Sequence, residues 1–163
     1  MNRNKIKFII LLLIAIIIQL FVMPYFEIDR VSPDVITIVI VYSSFYFGRL
    51  NGTIFGFVSG FIFDLVSGGM IGSSMFAKTL VGFLAGFFQN TYLNESEYHF
   101  IKYLLIMFFC AGIDSFFFSL FGFAEIKLSL INLFFTTSIF PGIYTTIISI
   151  PVYFSRPKGF FNE

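Results

Sequence analysis

A chain of 163 residues that is 58% hydrophobic, carries 27 phenylalanines and is only 12% charged, with a mean hydropathy of +0.93, excludes a water-soluble core-and-shell domain; soluble domains are nearer a quarter charged. The net charge of +1 gives no ground for a nucleic-acid partner, and the small charge clusters between long charge-free runs speak of membrane topology instead. A single cysteine, Cys110, rules out a disulfide framework or a multi-cysteine metal site and reads as a packing residue.

The chain opens on Met1 to Lys7, with Arg3, Lys5 and Lys7, followed by the apolar run Phe8 to Met23. These are the charged and apolar regions of a signal peptide, but the run leads into Gln19, Pro24 and Tyr25 with no small-x-small cleavage site. It reads as an uncleaved first membrane span.

A helix needs ~20 mostly apolar residues to cross ~30 Å of hydrocarbon. By that measure the chain is an all-α polytopic membrane bundle of six spans in one domain, at about 6–26, 33–49, 51–67, 73–91, 99–122 and 129–154. Ser32-Pro33-Asp34 opens the second span with proline at its first helical position. Spans two and three are short, which lower tilt or partial re-entry of one of them accommodates. Pro141, followed by Gly142, interrupts span six and predicts a kink there.

Six spans put both termini on one side. With that side cytoplasmic, Arg3, Lys5, Lys7, Arg49, Lys102, Arg156 and Lys158 lie inside and Arg30 and Lys127 outside, the asymmetry of the positive-inside rule. Tyrosines 25, 46, 92, 98, 103 and 153 fall near the span ends, where amphipathic rings suit the headgroup region. The loops are short; the longest, Thr91 to Tyr98, holds Glu95 and Glu97, and the single histidine, His99, stands at a cytoplasmic boundary as a solvated side chain.

Span three carries Gly52, Gly56, Gly60 and Asp64 at a strict four-residue period, which places three glycines and a carboxylate on one helix stripe. Beyond the turn containing Gly68, Gly69 and Gly72, span four repeats the spacing with Lys78, Gly82 and Gly86. Counting along the spans at ~1.5 Å per residue brings Asp64, Lys78 and Asp114 of span five to similar depths. Because a lone intramembrane charge is costly, these three form a buried charge cluster built on an Asp64–Lys78 ion pair with Asp114 nearby. The competing reading has Lys78 snorkel outward and Asp64 stand at a helix end. A paired cluster is in turn a packing lock, a proton relay or a ligand site, and the residues alone leave these open.

The pattern resembles the rod shape-determining protein MreD family. The resemblance rests on Pro33-Asp34, Gly48 before a short turn, and Gly52, Gly56-Phe57, Gly60 and Asp64. It continues through Ser67-Gly68-Gly69, Gly72, Gly82 and Gly86 to Pro141, Tyr144 and Pro151. The family's pattern places an asparagine more often just after Tyr144, where this chain has Thr145.

The resemblance implies a non-enzymatic adaptor of bacterial cell-wall elongation in the cytoplasmic (inner) membrane. Its expected partners are the bitopic protein MreC, the cytoskeletal protein MreB, the glycosyltransferase RodA and a class-B penicillin-binding transpeptidase, with no cofactor and no nucleic acid. It also implies a fold similar to the substrate-binding subunits of energy-coupling-factor transporters, so a small-molecule-binding transporter subunit is the alternative function. An intramembrane aspartic protease or lipoprotein signal peptidase is disfavoured, because Lys78 would neutralise one member of a carboxylate dyad and the Gly-x-Gly-Asp and asparagine-containing signatures are missing. Zinc-protease, Gly-x-Ser-x-Gly and P-loop motifs are missing as well.

Overall fold

The computed structural model describes residues 3–28, 31–89, 99–122 and 138–154, and over these the chain is all helical. Helix α1 covers Arg3–Phe21 and is followed by a 3-10 turn, Met23–Phe26. Then come α2 (Val35–Ser67), α3 (Ser73–Gly86), α4 (His99–Gly122) and α5 (Phe140–Phe154). The Glu95 and Glu97 loop, Arg30, Lys127, Arg156, Lys158 and the side chains of Arg3 and His99 lie outside the described residues.

By length and composition, Val35–Ser67 and Phe100–Phe121 are apolar and long enough to cross a membrane, and Phe140–Phe154 is a shorter apolar helix. The first of these is not straight. Gly48 sits at φ +78°, ψ −178°, in a backbone conformation that side-chain-bearing residues rarely adopt. A straight helix of 33 residues would hold its ends about 50 Å apart. Here Asp34 at one end and Asp64 near the other both bond residues in the first two turns of α3, so the chain reverses at Gly48. Two antiparallel arms result, residues 35–47 and 49–67, with Ser44 against Gly52 and the rings of Phe47 and Phe55 6.1 Å apart. The break expected between spans two and three therefore falls at Gly48. A Cβ there would also meet Gln89 Oε1 at 2.6 Å, whose amide donates to the Tyr46 carbonyl at 3.2 Å.

The first arm is the centre of the bundle. Every residue from Ile36 to Phe45 is buried, so this helix has no lipid-facing stripe and must be packed on all sides. From α1, Phe8 packs among Tyr42, Tyr46 and Phe47, and Lys5 donates to Asn51 at 2.9 Å. Helix α4 docks on α3 through Phe76, Phe117 and Phe121, and α5 docks on α4 through Tyr103 and Tyr153. Much of the described surface is apolar: Ile10, Ile17, Leu50, Phe61, Leu105, Phe109 and Ile147 are all exposed.

Some boundaries differ from expectation. Pro33 precedes the helix; the N-cap is Asp34, whose Oδ1 accepts from Thr37 N at 2.9 Å, so an acceptor begins this helix where proline at its first position was expected. Helix α3 ends at Gly86, short of 91, because Phe87 and Phe88 close it with 3.1 Å bonds to the carbonyls three residues back. Pro141 stands in the first turn of α5, where its missing N–H costs nothing, just after a wide π-helical turn at 138–139; Pro151 is the proline inside the helix.

Candidate functional site: a buried charge trio

The seam between the second arm of α2 and α3 sets the geometry. Gly52 lies against Gly82, Gly56 against the backbone of Lys78, Gly60 against Met75, and Gly86 against Arg49. As one number climbs by four the other falls by about four, which is an antiparallel register with no side chains between the backbones. A Cβ on Gly52 would come within 2.8 Å of the Gly82 carbonyl, and one on Gly60 within 2.5 Å of Met75 Cα. The five-glycine packing stripe is thus a backbone-to-backbone contact.

This register overturns the expected Asp64–Lys78 pair. Lys78 stands opposite Gly56, and Asp64 is eight residues further along, about 12 Å at the helical rise. Asp64 is buried but spends its carboxylate on the backbone at the start of α3, accepting from Gly72 N at 2.8 Å and from Ser74 N and Met75 N at 3.1 Å each. It satisfies donors that no carbonyl of the helix can reach.

Lys78 pairs instead with Asp34 and, at 2.9 Å, with Asp114. Its Cβ tilts toward the N-terminus of α3, as in any helix, which carries the ammonium away from the glycine seam to the level where α2 begins. Lys78 and Asp114 are almost wholly buried, and the Asp34 side chain keeps about a fifth of its exposure. Thr37 completes the group: its hydroxyl donates to Asp114 Oδ2 at 3.0 Å and accepts from the ammonium at 3.3 Å. Asp114 Oδ2 takes both donors, while Asp114 Oδ1 is buried with no hydrogen-bond partner.

The other two helices hold Asp34 in place. Gln19 of α1 brackets it, donating to Pro33 O at 3.1 Å and accepting from Val35 N at 2.8 Å. Thr145 of α5 accepts from Asp34 N at 3.1 Å, and one residue earlier Tyr144 donates to Phe26 O at 2.8 Å. All five of the described helices therefore meet at the Asp34 turn. Thr145, which stands where an asparagine was expected, uses a hydroxyl for what an amide oxygen could also do.

Of the anticipated cluster, Lys78 and Asp114 come together and Asp64 does not. Asp34, read from the sequence as the opening of a span, is the missing partner. A signal existed: aspartate before a helical apolar run is an N-cap, and an N-cap at the same membrane depth as a buried lysine is a candidate counter-ion. Gln19, Thr37 and Thr145 carried no comparable signal, because single polar residues in apolar runs do not reveal which way they face. Among the described residues no group of three or more His, Cys, Asp or Glu is placed to hold a metal ion.

No curated protein and no solved structure matches the chain. A family model described as rod shape-determining protein MreD matches residues 2–155 of the 163. With the apolar helices this marks a membrane protein with a role in rod-shape determination, and the chain belongs to the MreD family.

Proposed function

We propose that this protein is a non-enzymatic adaptor of the cell-wall elongation machinery, a six-span protein of the cytoplasmic membrane with both termini inside. It binds MreC and connects it to MreB, RodA and a class-B penicillin-binding transpeptidase. The observation that carries the reading is the use made of the interior charges. Lys78, Asp34, Asp114 and Thr37 are turned on one another, and the turn they form ties five helices into one body. Polar groups spent in this way fix helix register, the best-attested use of buried ion pairs. A rigid body with an apolar outer face is what recognition of a partner's membrane helix needs.

The positions of the cations support this orientation. Lys5 reaches Asn51, and Arg49 lies over the Phe87 ring at 4.4 Å, both at the Gly48 end, opposite the trio. The positive-inside rule therefore favours a cytoplasmic Gly48 end.

Affinity isolation in mild detergent tests the proposal. Recovery of a bitopic partner together with wall-synthesis enzymes is the expected result. Recovery of an ATPase module with a shared transmembrane subunit would establish the transporter-subunit reading instead.

A further inference from the structure

The turn joining α2 to α3 has an unusual makeup for a loop that should face water. From Leu65 to Ala77 the sequence holds no charged residue. Leu65, Val66, Met70 and Ile71 are 54–65% exposed, and a Cβ on Gly68 or Gly72 would touch nothing within 4 Å. Polar groups along the turn are bonded within the protein. Ser67 Oγ donates to Asp64 O at 3.5 Å and Ser73 Oγ to Met70 O at 2.9 Å, while the Asp64 carboxylate accepts from the amides of Gly72, Ser74 and Met75. Water would satisfy such donors without help. Internal satisfaction is what backbone requires where water is scarce.

Length points the same way. Residues 49–67 rise about 28 Å and the 14 residues of α3 about 21 Å, against ~30 Å of hydrocarbon. With Arg49 at one headgroup level, the tip does not clear the far side of the hydrocarbon core.

We propose that the tip of the α2–α3 hairpin, residues 65–71, is embedded in lipid, seated at the boundary of acyl chains and headgroups in the leaflet opposite Arg49. Asp64 contributes by taking the amides of Gly72, Ser74 and Met75 where the turn enters α3. The inference rests on the membrane-spanning reading above.

The chain contains no tryptophan, so one introduced residue is a unique fluorophore. Met70→Trp and Ile71→Trp are placed in the full chain and reconstituted in phosphatidylethanolamine–phosphatidylglycerol vesicles. Val58→Trp, at an exposed position midway along the second arm, is the reference. Acyl-chain-brominated phospholipid is expected to quench at least about half of the emission of each tip variant, with acrylamide quenching little, as for a side chain seated in the interface. If acrylamide quenches the tip variants while Val58→Trp behaves as lipid-exposed, the tip is in water and the proposal fails alone. If neither reagent reaches the tip, protein covers it, and the proposal also fails. If acrylamide reaches Val58→Trp, the membrane-spanning reading fails with it.

Discussion

Asp34 and Asp64 stand at the two ends of the same folded helix, and each is bonded to α3, yet they do different work. Asp34 meets a side chain, the ammonium of Lys78, and is gripped from α1 and α5 as well. Asp64 meets only backbone amides of the next turn in sequence. The first is a long-range tie whose loss is felt by the whole bundle. The second is a local cap whose loss is felt by one hairpin. Asp64 is the more buried of the two carboxylates, so burial alone does not rank these roles; the identity of the donor does.

Lys78→Ala should show the largest effect. It leaves the carboxyls of Asp34 and Asp114 facing each other without their cation, a change of the kind that costs ~3–5 kcal/mol. Thermal unfolding in detergent should register it as a large fall in Tm or loss of folded yield. A double-mutant cycle sharpens the comparison. Lys78 should couple to Asp34 and to Asp114, while Lys78 with Asp64 should be additive within ~0.5 kcal/mol, as for sites with no shared partner. Strong Lys78–Asp64 coupling would dissolve the distinction.

Gly56→Ala comes next. The added Cβ would run into the carbonyl of Lys78 itself, backbone against backbone, so the arms must separate at the rung that positions the lysine. A cost of ~1–3 kcal/mol is expected for such overpacking, read in the same unfolding assay. Loss beyond that range would show that the seam and the trio fail together.

Why the sequence announced the seam but misplaced the pair follows from these residues. Four-residue spacing of Gly52, Gly56, Gly60, Gly82 and Gly86 is a periodic signal, and periodicity survives without knowledge of the partner. The pairing of Lys78 depended on register, which the turn sets. Depth counted separately from each span end accumulates error of a turn or more, enough to bring Asp64 beside Lys78 on paper. Asp34 escaped because Ser32-Pro33-Asp34 was read only as the opening of a span with proline at its first helical position, which left the carboxylate without a role. The reversal at Gly48 was legible as a boundary, since a glycine precedes a break in the apolar run, but its sharpness rests on a positive φ that no composition reports.

Asp64→Ala should cost less globally than Lys78→Ala, about 1–3 kcal/mol in all, because the amides it strands lie at one turn where headgroup water can reach them. Hydrogen exchange tells local from global. The amides of Gly72, Ser74 and Met75 should lose protection while those of Ile38 to Phe45 keep theirs. General loss of protection would make Asp64 as far-reaching as Asp34 and break the comparison from the other side.

The smallest effect is expected at Thr145. Its hydroxyl accepts one hydrogen bond, from Asp34 N, across 111 residues of chain. Thr145→Val keeps the shape and removes that bond, at ~0.5–1.5 kcal/mol, since the amide sits at the partly exposed Asp34 turn where water can replace the hydroxyl. Thr145→Asn restores an acceptor oxygen on a longer arm and should recover most of the loss. Tm values for the two variants decide whether the position is a hydrogen-bond acceptor or only a volume. If valine matches the parent, α5 is held to the Asp34 turn by packing alone, and the long-range tie shrinks to α1, α2, α3 and α4.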